Sequence, residues 1–433
     1  MDLVDFSKAK IISPKLTPND RRGWPGLFPY YAGYSVAFAD ELINSLEMPE
    51  GFLVYDPWNG SGATTFAAAK NGFRSLGRDI NPVMHVVAKA RHLRPIDCGS
   101  VTPLLANILK LASADKEEIL ENDLLLKRFS RRTGQSLRSI ERAIRHYLLN
   151  EIKVSEYSSL EDMSPTAAFF YVSLFNVARN CVKSHQSTNP TWLKKASRQE
   201  KIDLASDSIF DLFERSTLFA SLAILEGGDN SAGSTKITLQ TLDASLGKKL
   251  PQKFDFALTS PPYCTRIDYT AATEVELALI SKAFPVDYDG MRRSMMGSVL
   301  SPKTVGSAET FWGETCNRFL ESVREHPSKA SSGYYYRTNL DYFRKLGASI
   351  SALSRSAKRG AGVVVVAQDS YYKNIHNNLP QVITEMAEAC GLQLLRKEDF
   401  AAKNIMASKH KYVRCYREKI QATESVLCYR KVY

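Results

Sequence analysis

Hydrophobic and polar positions along this chain follow two periods, which first alternate and then separate. "SVAFADELINSL" (35–46) repeats apolar residues at helical spacing, and "GFLVYD" (51–56) is a short apolar run bounded by turn residues. "GATTFAAAKNG" (62–72) returns to the helical period and "RSLGRD" (74–79) to an extended one, with Gly72 where a helix C-cap falls. Helix, strand, helix, strand in this order predicts a β-α-β unit over about residues 24–93, and hence a parallel sheet.

From Arg94 to Thr235 the extended runs vanish. "VTPLLANILKLASA", "SLRSIERAIRHYLL", "SPTAAFFYVSLFNVARNCV" and "IFDLFERSTLFASLAIL" all carry the helical period, and "EGGDNSAGST" ends the stretch as a loop. Strands resume at Lys236 with "KITLQTLD" and "FDFALT", then "GVVVVAQD", apolar throughout as in a strand buried on both faces. A helix, "LPQVITEMAEACG", and the strands "LQLLRK" and "ESVLCYRK" complete the chain. Joined across the helical stretch, these pieces predict an α/β fold: an open, doubly wound, Rossmann-like sheet whose ligand crevice lies at the carboxyl ends of its strands. The expected organisation is an N-terminal tail (1–22), a first part of the sheet domain (23–93), a helical insertion (94–235) and a second part (236–433).

Composition narrows the partner. The 433 residues, 44% hydrophobic and 24% charged, are globular in character and long enough for one domain with a large insertion, or for two. A formal charge of +11 points to a polyanion, nucleic acid first and an anionic membrane surface second. The seven cysteines are scattered, without a Cys-x-x-Cys pair or a His at zinc spacing, so reduced thiols are expected and no metal site. "MDLVDFSKAKIISPK" has early acids and no long apolar core, unlike a secretory signal. "AAFFYVSLFNVA" is shorter than the roughly 20 residues that span a bilayer. A cytoplasmic protein without a membrane is expected.

Candidate chemistry gathers at two strand exits. After "GFLVYD" comes "PWNGSGATTF", so Asp56, Trp58, Asn59, Gly60 and Gly62 fall on a turn where glycine allows close approach of backbone to a ligand. The next strand ends in Asp79, about 20 residues on, where a carboxylate can accept from both hydroxyls of a ribose. No Lys-Ser/Thr follows the glycines, which argues against a P-loop cradle for ATP. Thr65 stands where a dinucleotide fingerprint has its third glycine, and Asp56 puts a carboxylate where a pyrophosphate would have to come close. An acid beside this turn suits a cationic, amino-bearing ligand; the sulfonium and ammonium groups of S-adenosylmethionine fit it better than NAD. At the other exit, "FALTSPPYCTRIDY" breaks from an apolar run into tandem prolines, which stop a strand and hold the next residues rigid.

"FPYYAGYSVAFADELI", "DPWNGSGATT", "GRDINP", "LDAS" and "TSPPY", in this order, resemble the DNA amino-methyltransferases, which methylate cytosine N4 or adenine N6 with S-adenosylmethionine. The resemblance covers the first and third segments. It implies a mostly parallel sheet with an antiparallel last strand, and double-stranded DNA as partner, with a cognate nuclease or defence-system proteins in a restriction-modification pairing. It also implies a cofactor site made of Tyr30, Tyr31, Asp56, Trp58, Asn59, Gly60, Gly62, Thr64, Asp79, Ile80, Asp243 and Ala244, with Asp79 on the ribose and Asp243 near the adenine amino group. "SPPY" is commonest in the cytosine-N4 group, whereas adenine enzymes more often have Asp or Asn where Ser260 stands. Two features depart from the pattern: Trp58 replaces the more usual phenylalanine, and the insertion is longer than a crossover needs.

On this reading Ser260, Pro261, Pro262 and Tyr263 form the reaction end. Hydrogen bonds from the target amino group to Ser260 Oγ and the Pro261 carbonyl would expose its lone pair, while Tyr263 stacks on the extruded base. Cys264 is expected to be packing, and Asp268 a solvated or salt-bridged carboxylate. The basic stretch at about 285–360 combines Arg292, Arg293, Lys303, Arg337, Arg344, Lys345, Arg355, Lys358 and Arg359 with Tyr334, Tyr335 and Tyr336; of these, together with Arg266, the expected DNA contacts are Arg266, Arg292, Arg293, Arg337 and Arg344. Adenine-N6 methylation, RNA base methylation and a silent DNA-binding module remain alternatives; a nicotinamide dehydrogenase has no use for "TSPPY". Oligomeric state and recognition sequence are not written in the chain.

Overall fold

Apolar runs far apart in the sequence become neighbours in one sheet. The computed structural model describes the chain except residues 1–2, 18–19, 21–22, 24–25, 31, 150–159, 186–199, 228–234, 251, 266, 301, 303 and 403–421. The first part gives α1 (Val36–Ser45), β1 (Leu53–Asp56), α2 (Ala63–Lys70), β2 (Arg74–Asp79) and α3 (Pro82–Ala90). Helices α4 (Val101–Ala114), α5 (Arg131–Leu148), α6 (Pro165–Cys181) and α7 (Ser206–Gly227) follow, with no named strand between them among the described residues. Then come β3 (Ile237–Thr241), β4 (Phe254–Thr259), α8 (Glu274–Ile280), α9 (Tyr288–Ser294), α10 (Glu314–Glu325), α11 (Tyr336–Ser356) and β5 (Ala357–Gln368). A hairpin of β6 (Ser370–Tyr372) and β7 (Ile375–Asn377), α12 (Leu379–Ala389), β8 (Leu392–Ala402) and β9 (Ala422–Lys431) end the chain.

The main sheet has the order β3-β2-β1-β4-β5-β9-β8. Its first five strands are parallel, and β9 runs antiparallel to both neighbours, so the α/β, doubly wound fold expected from the pattern is the one observed. Alternate side chains serve opposite faces, as the two-residue period of a strand requires. Tyr55, Ala257, Val363, Val365 and Leu427 pack with α10, α11 and α12. Val54, Phe256, Leu258, Val364, Val366 and Val426 pack with α1 and α2. Val4, Phe6 and Ala9 are buried on this second face, and Arg396 donates to the carbonyls of Phe6 (3.1 Å) and Ala9 (2.9 Å), so this part of the expected N-terminal tail is built into the core.

Helices α4 to α7 share one apolar core with α3, α8 and Phe28. Inside it lies a charged cluster. The Arg138 guanidinium donates to both oxygens of Asp123 (3.0 and 3.1 Å), to Glu141 (3.1 Å) and to the carbonyls of Ala278 (2.9 Å) and Leu279 (2.8 Å) at the end of α8. All three side chains are almost fully buried. A buried ion of this kind is tolerable only while its partners are complete. Among the described residues no helix is long and apolar enough to cross a membrane.

Removing one member of such a cluster strands the others in low dielectric. Arg138→Met is therefore expected to lower folding stability by about 3 to 5 kcal/mol, measured by urea unfolding. A loss below about 1 kcal/mol, the scale of an exposed ion pair, would mean that the cluster does not anchor α8.

Candidate active site

Strands β1 and β4 are hydrogen-bonded neighbours running in the same direction, so their carboxyl ends open side by side. Asp56 closes the first. Its carboxylate is 2% exposed. One oxygen accepts from the Thr259 hydroxyl (2.5 Å) and the Trp58 amide (3.0 Å); the other meets the hydroxyls of Thr64 (2.6 Å) and Tyr34 (3.3 Å). Tyr34 and Thr64 also bond each other and reach the Leu258 carbonyl. Burial raises the Asp56 carboxyl to about 6 against the pull of these donors. Both oxygens accept from protein donors, and Asp56 clamps β1, β4, α2 and Tyr34 together. Thr64 is equally buried, and part of the same clamp.

The glycine turn follows. Asn59 donates its amide to the Arg78 carbonyl (2.8 Å) and packs its side chain on Gly77, where a Cβ would stand 2.5 Å from Asn59 Cγ. Gly60, at φ +48°, donates its amide to Asp79 (2.9 Å) and lies so close beneath Tyr30 that a Cβ would be 3.1 Å from the ring. Gly62, at φ +86°, is the N-cap of α2 and faces Ala88 of α3. Trp58 packs against the α10–α12 side of the sheet, and Ile80 against the helical core.

Asp79, on the next strand, accepts the amides of Gly60 and, at 2.8 Å, Asn81, one on each oxygen. Each oxygen keeps a second acceptor site. Burial raises its carboxyl to about 6, opposed by the two amides and assisted by the charges of Asp56 and Asp243. Asp243 caps a short 3-10 turn beginning at Ala244 by accepting from the Ser245 amide (2.8 Å). Beside the turn is a cavity of about 150 Å³ lined by Phe28, Tyr30, Tyr34, Ser61 and Arg91, among others. Arg91 donates to Ser61 Oγ (3.3 Å), and burial lowers its guanidinium to about 10. Tyr31 lies outside the described residues.

The second exit is held at three points. Thr259 is tied to Asp56, Pro261 is buried, and the Pro262 carbonyl accepts the hydroxyl of the buried Tyr342 (2.7 Å). The Tyr263 hydroxyl donates to Glu424 of β9 at 2.7 Å, which fixes the ring's orientation. Cys264 packs with the α10–α12 cluster and contacts Asn339. Buried Asp268 pairs with Arg292 (2.6 Å) and accepts the Ala271 amide (3.0 Å). Sequence reasoning found the prolines because their effect is local. Glu424 and Tyr342 carry no local signal at all.

Arg179 of α6, also missed, joins the two ends from the insertion. It pairs with Glu276 (2.6 Å), donates to the carbonyls of Ala272 (3.3 Å) and Pro29 (3.0 Å), and stacks over Phe28 at 4.4 Å. One side chain thus touches the segment before Tyr30 and the segment after the proline exit.

The basic stretch divides. Lys345 is buried, paired with Asp341 (2.8 Å) and bonded to the Arg293 and Met295 carbonyls, so it leaves the outward set. Arg292 turns inward to Asp268, Arg344 pairs with Asp341 (2.7 Å) and Lys358 with Asp255 (2.6 Å). Arg293 and Arg359 are exposed, and Arg337 is half-buried. Tyr334 donates to the Val299 carbonyl (2.6 Å), and Tyr335 packs on Tyr372. Arg266 and Lys303 lie outside the described residues.

No family model matches the chain. It is 23% identical over 393 residues to the Type II methyltransferase M.AvaI of Nostoc sp., and equally to that of Anabaena variabilis; each alignment covers 85% of this chain and 78% of the relative. To the Type II methyltransferase M.BsoBI of Geobacillus stearothermophilus it is 25% identical over 276 residues, 58% of this chain and 51% of that one. The chain is a homologue of Type II methyltransferases, in agreement with the DNA amino-methyltransferase resemblance carried by its motifs.

The turn itself makes a test. In Gly62→Ala the new Cβ would stand 2.8 Å from Ala88 Cβ at a backbone angle that suits glycine. A stability loss of about 1 to 3 kcal/mol is expected by denaturant unfolding. An unchanged midpoint would show that the turn relaxes freely and does not fix the site.

Proposed function

We propose that this chain is a site-specific DNA methyltransferase that transfers a methyl group from S-adenosylmethionine to the exocyclic N4 of a cytosine flipped out of the duplex. The observation that carries the proposal is the bond between Thr259 and Asp56, which sets the proline exit beside the glycine turn. A companion nuclease in a restriction-modification pair and a cytoplasmic location belong to the same reading.

The residues at the turn suit the cofactor. Asp79 retains acceptor sites for two ribose hydroxyls, Asp243 stands near it for an adenine amino group, and Gly60 lacks the Cβ that would lift Tyr30 from the turn. The cavity edged by Tyr30, Ser61 and Arg91 suits the amino-acid part. When bound, S-adenosylmethionine supplies a methyl group on a cationic sulfur.

The amino group of cytosine is a poor nucleophile, because its lone pair is delocalised into the ring. Ser260 Oγ and the Pro261 carbonyl would each accept one amino hydrogen and draw the nitrogen toward tetrahedral shape. Tyr342, bonded to the adjacent Pro262 carbonyl, keeps this backbone still. Extruding the base costs a few kcal/mol, and stacking on Tyr263 returns about 1 to 3. Alignment of the reacting atoms contributes the most, up to about 7 to 11 kcal/mol in good geometry.

The deciding experiment incubates the protein with duplex DNA and labelled cofactor, then identifies the modified nucleoside. N4-methylcytosine is expected. N6-methyladenine would overturn the choice of base, and no labelled nucleoside the whole proposal. Ser260→Ala should lower kcat by about a hundredfold or more, as loss of a single preorganised hydrogen bond does.

Asp79 gives a pH signature. Its carboxyl is raised to about 6, so it is ionised and ready to accept above that pH and becomes protonated below it. Cofactor affinity should weaken about tenfold per unit as pH falls below 6, and Asp79→Asn should flatten the profile. A flat profile in the unaltered protein would remove Asp79 from the ribose. DNA affinity should fall steeply with salt if exposed arginines meet phosphates; salt-independent binding would count against that surface.

A further inference from the structure

Among the described residues, the non-glycine positions with positive φ are Glu47, Ala330 and Lys373, and the last two belong to one small module. Ala330 (φ +67°) precedes a π-helical turn, Ser331–Tyr335, and Lys373 (φ +54°) forms the tip of the β6–β7 hairpin. Side chains with a Cβ resist this backbone, and both such strain and π turns concentrate at functional sites. The two pieces are joined. The rings of Tyr335 and Tyr372 lie 5.0 Å apart, and hydrogen bonds run from Tyr372 to Ser331 (2.5 Å), to Ser328 (2.9 Å), to His326 (2.6 Å) and back to the hairpin at Asn374 (3.0 Å).

A hairpin of two strands is marginal in water unless one face is packed. Here Tyr372 faces the π turn, so strand alternation turns the cross-strand pair Tyr371 and His376 the other way. Their rings meet at 4.8 Å, and His376 is exposed. His376 bonds one oxygen of Asp369 (2.8 Å) while the other accepts the Thr423 amide (2.7 Å), so the acid is engaged within the protein. The outer face thus offers a phenol ring, an imidazole and, at the tip, the Lys373 ammonium.

The hairpin leaves the sheet just past Gln368, at the carboxyl end of β5, on the edge where β1 and β4 also end. Gln368 is the register partner of Glu424, whose carboxylate holds the Tyr263 hydroxyl at 2.7 Å. The module therefore stands beside the proline exit, beyond the basic stretch at about 285–360.

We propose that the β6–β7 hairpin is a DNA-contact element that grips the duplex next to the extruded base, with Lys373 on a backbone phosphate and the Tyr371–His376 face against the flanking nucleotide. The inference rests on the function proposed above and names a further surface for its partner. A two-stranded ribbon is narrow enough for the major groove. Extruding one base leaves the face of its neighbour unstacked, and an aromatic side chain can cover it.

The test measures binding of a labelled duplex that the unaltered protein methylates, by fluorescence anisotropy between about 50 and 200 mM salt. Lys373→Gly removes the ammonium and relieves the backbone in one change. Its denaturant midpoint should hold or rise, while DNA affinity falls and the slope of log K against log salt becomes shallower by about 0.9, the value for one phosphate. A lysine that served only the fold would not give these opposite signs. Tyr371→Ala should lose about tenfold or more in DNA affinity, the scale of a lost base–aromatic stack, and Tyr371→Phe should keep most of it. Cofactor affinity without DNA should be unchanged in all three variants.

An unaltered salt slope in Lys373→Gly together with unaltered DNA affinity in Tyr371→Ala would overturn the proposal and leave the hairpin a brace for the π turn. If Tyr371→Ala fails to fold, Lys373→Gly decides alone, because glycine suits that backbone. Failure of the unaltered protein to methylate any duplex is a different result, against the function and not against the hairpin alone.

Discussion

One hydrogen bond, from the Thr259 hydroxyl to the buried carboxylate of Asp56, ties the ends of two strands that lie some two hundred residues apart in the chain, and the remainder of the site is arranged around it. β1 and β4 are parallel, so their carboxyl ends coincide only if their register is kept. A carboxylate buried there without donors would cost several kcal/mol. Three hydroxyls and an amide, from four different parts of the fold, make the position tolerable and specify it. The same cost that makes Asp56 hard to bury makes the strand ends hard to separate.

The helices between β2 and β3 extend this logic to the other side of the site. Arg128, Arg138 and Arg179 all reach α8, the helix that follows the proline exit, through Glu274, the Ala278 and Leu279 carbonyls, and Glu276. Arg179 also holds the backbone just before Tyr30. Much of the insertion's charge is therefore internal bracing, and so is Lys345 in the basic stretch. The net charge of +11 argues for a polyanionic partner, but it does not map the surface that would meet one.

Much of the fold was legible because its strands are apolar runs punctuated by glycine and proline. "GVVVVAQD" is apolar throughout, as a strand buried on both faces is, and the tandem prolines of "TSPPY" mark a stiff strand exit. What escaped reading depends on distance in sequence. Glu424 sits on β9 and Tyr342 within a long helix, where nothing local distinguishes a Glu or Tyr that reaches the proline exit from any other. The β6–β7 hairpin is three residues to a strand, too short for a period to show. Val4 and Phe6 seemed part of a tail because their partners lie on β5, β9 and α1.

Asp56 and Asp79 show why residue type and position alone do not assign a role. Both end adjacent parallel strands, and burial pushes both carboxyls up to about 6. The difference lies in the donors. Around Asp56 the donors come from Tyr34, Thr64, Thr259 and the Trp58 amide, and they close over both oxygens. Among the described residues Asp79 receives two backbone amides, one on each oxygen, which fix its plane and leave half of its acceptor capacity unused. Hydroxyl-bearing side chains surround the first, and the backbone amides of Gly60 and Asn81 meet the second, so the difference follows from what the neighbouring residues can donate. The oxygens of one acid are engaged in holding the strands together, and those of the other keep acceptor capacity among the described residues.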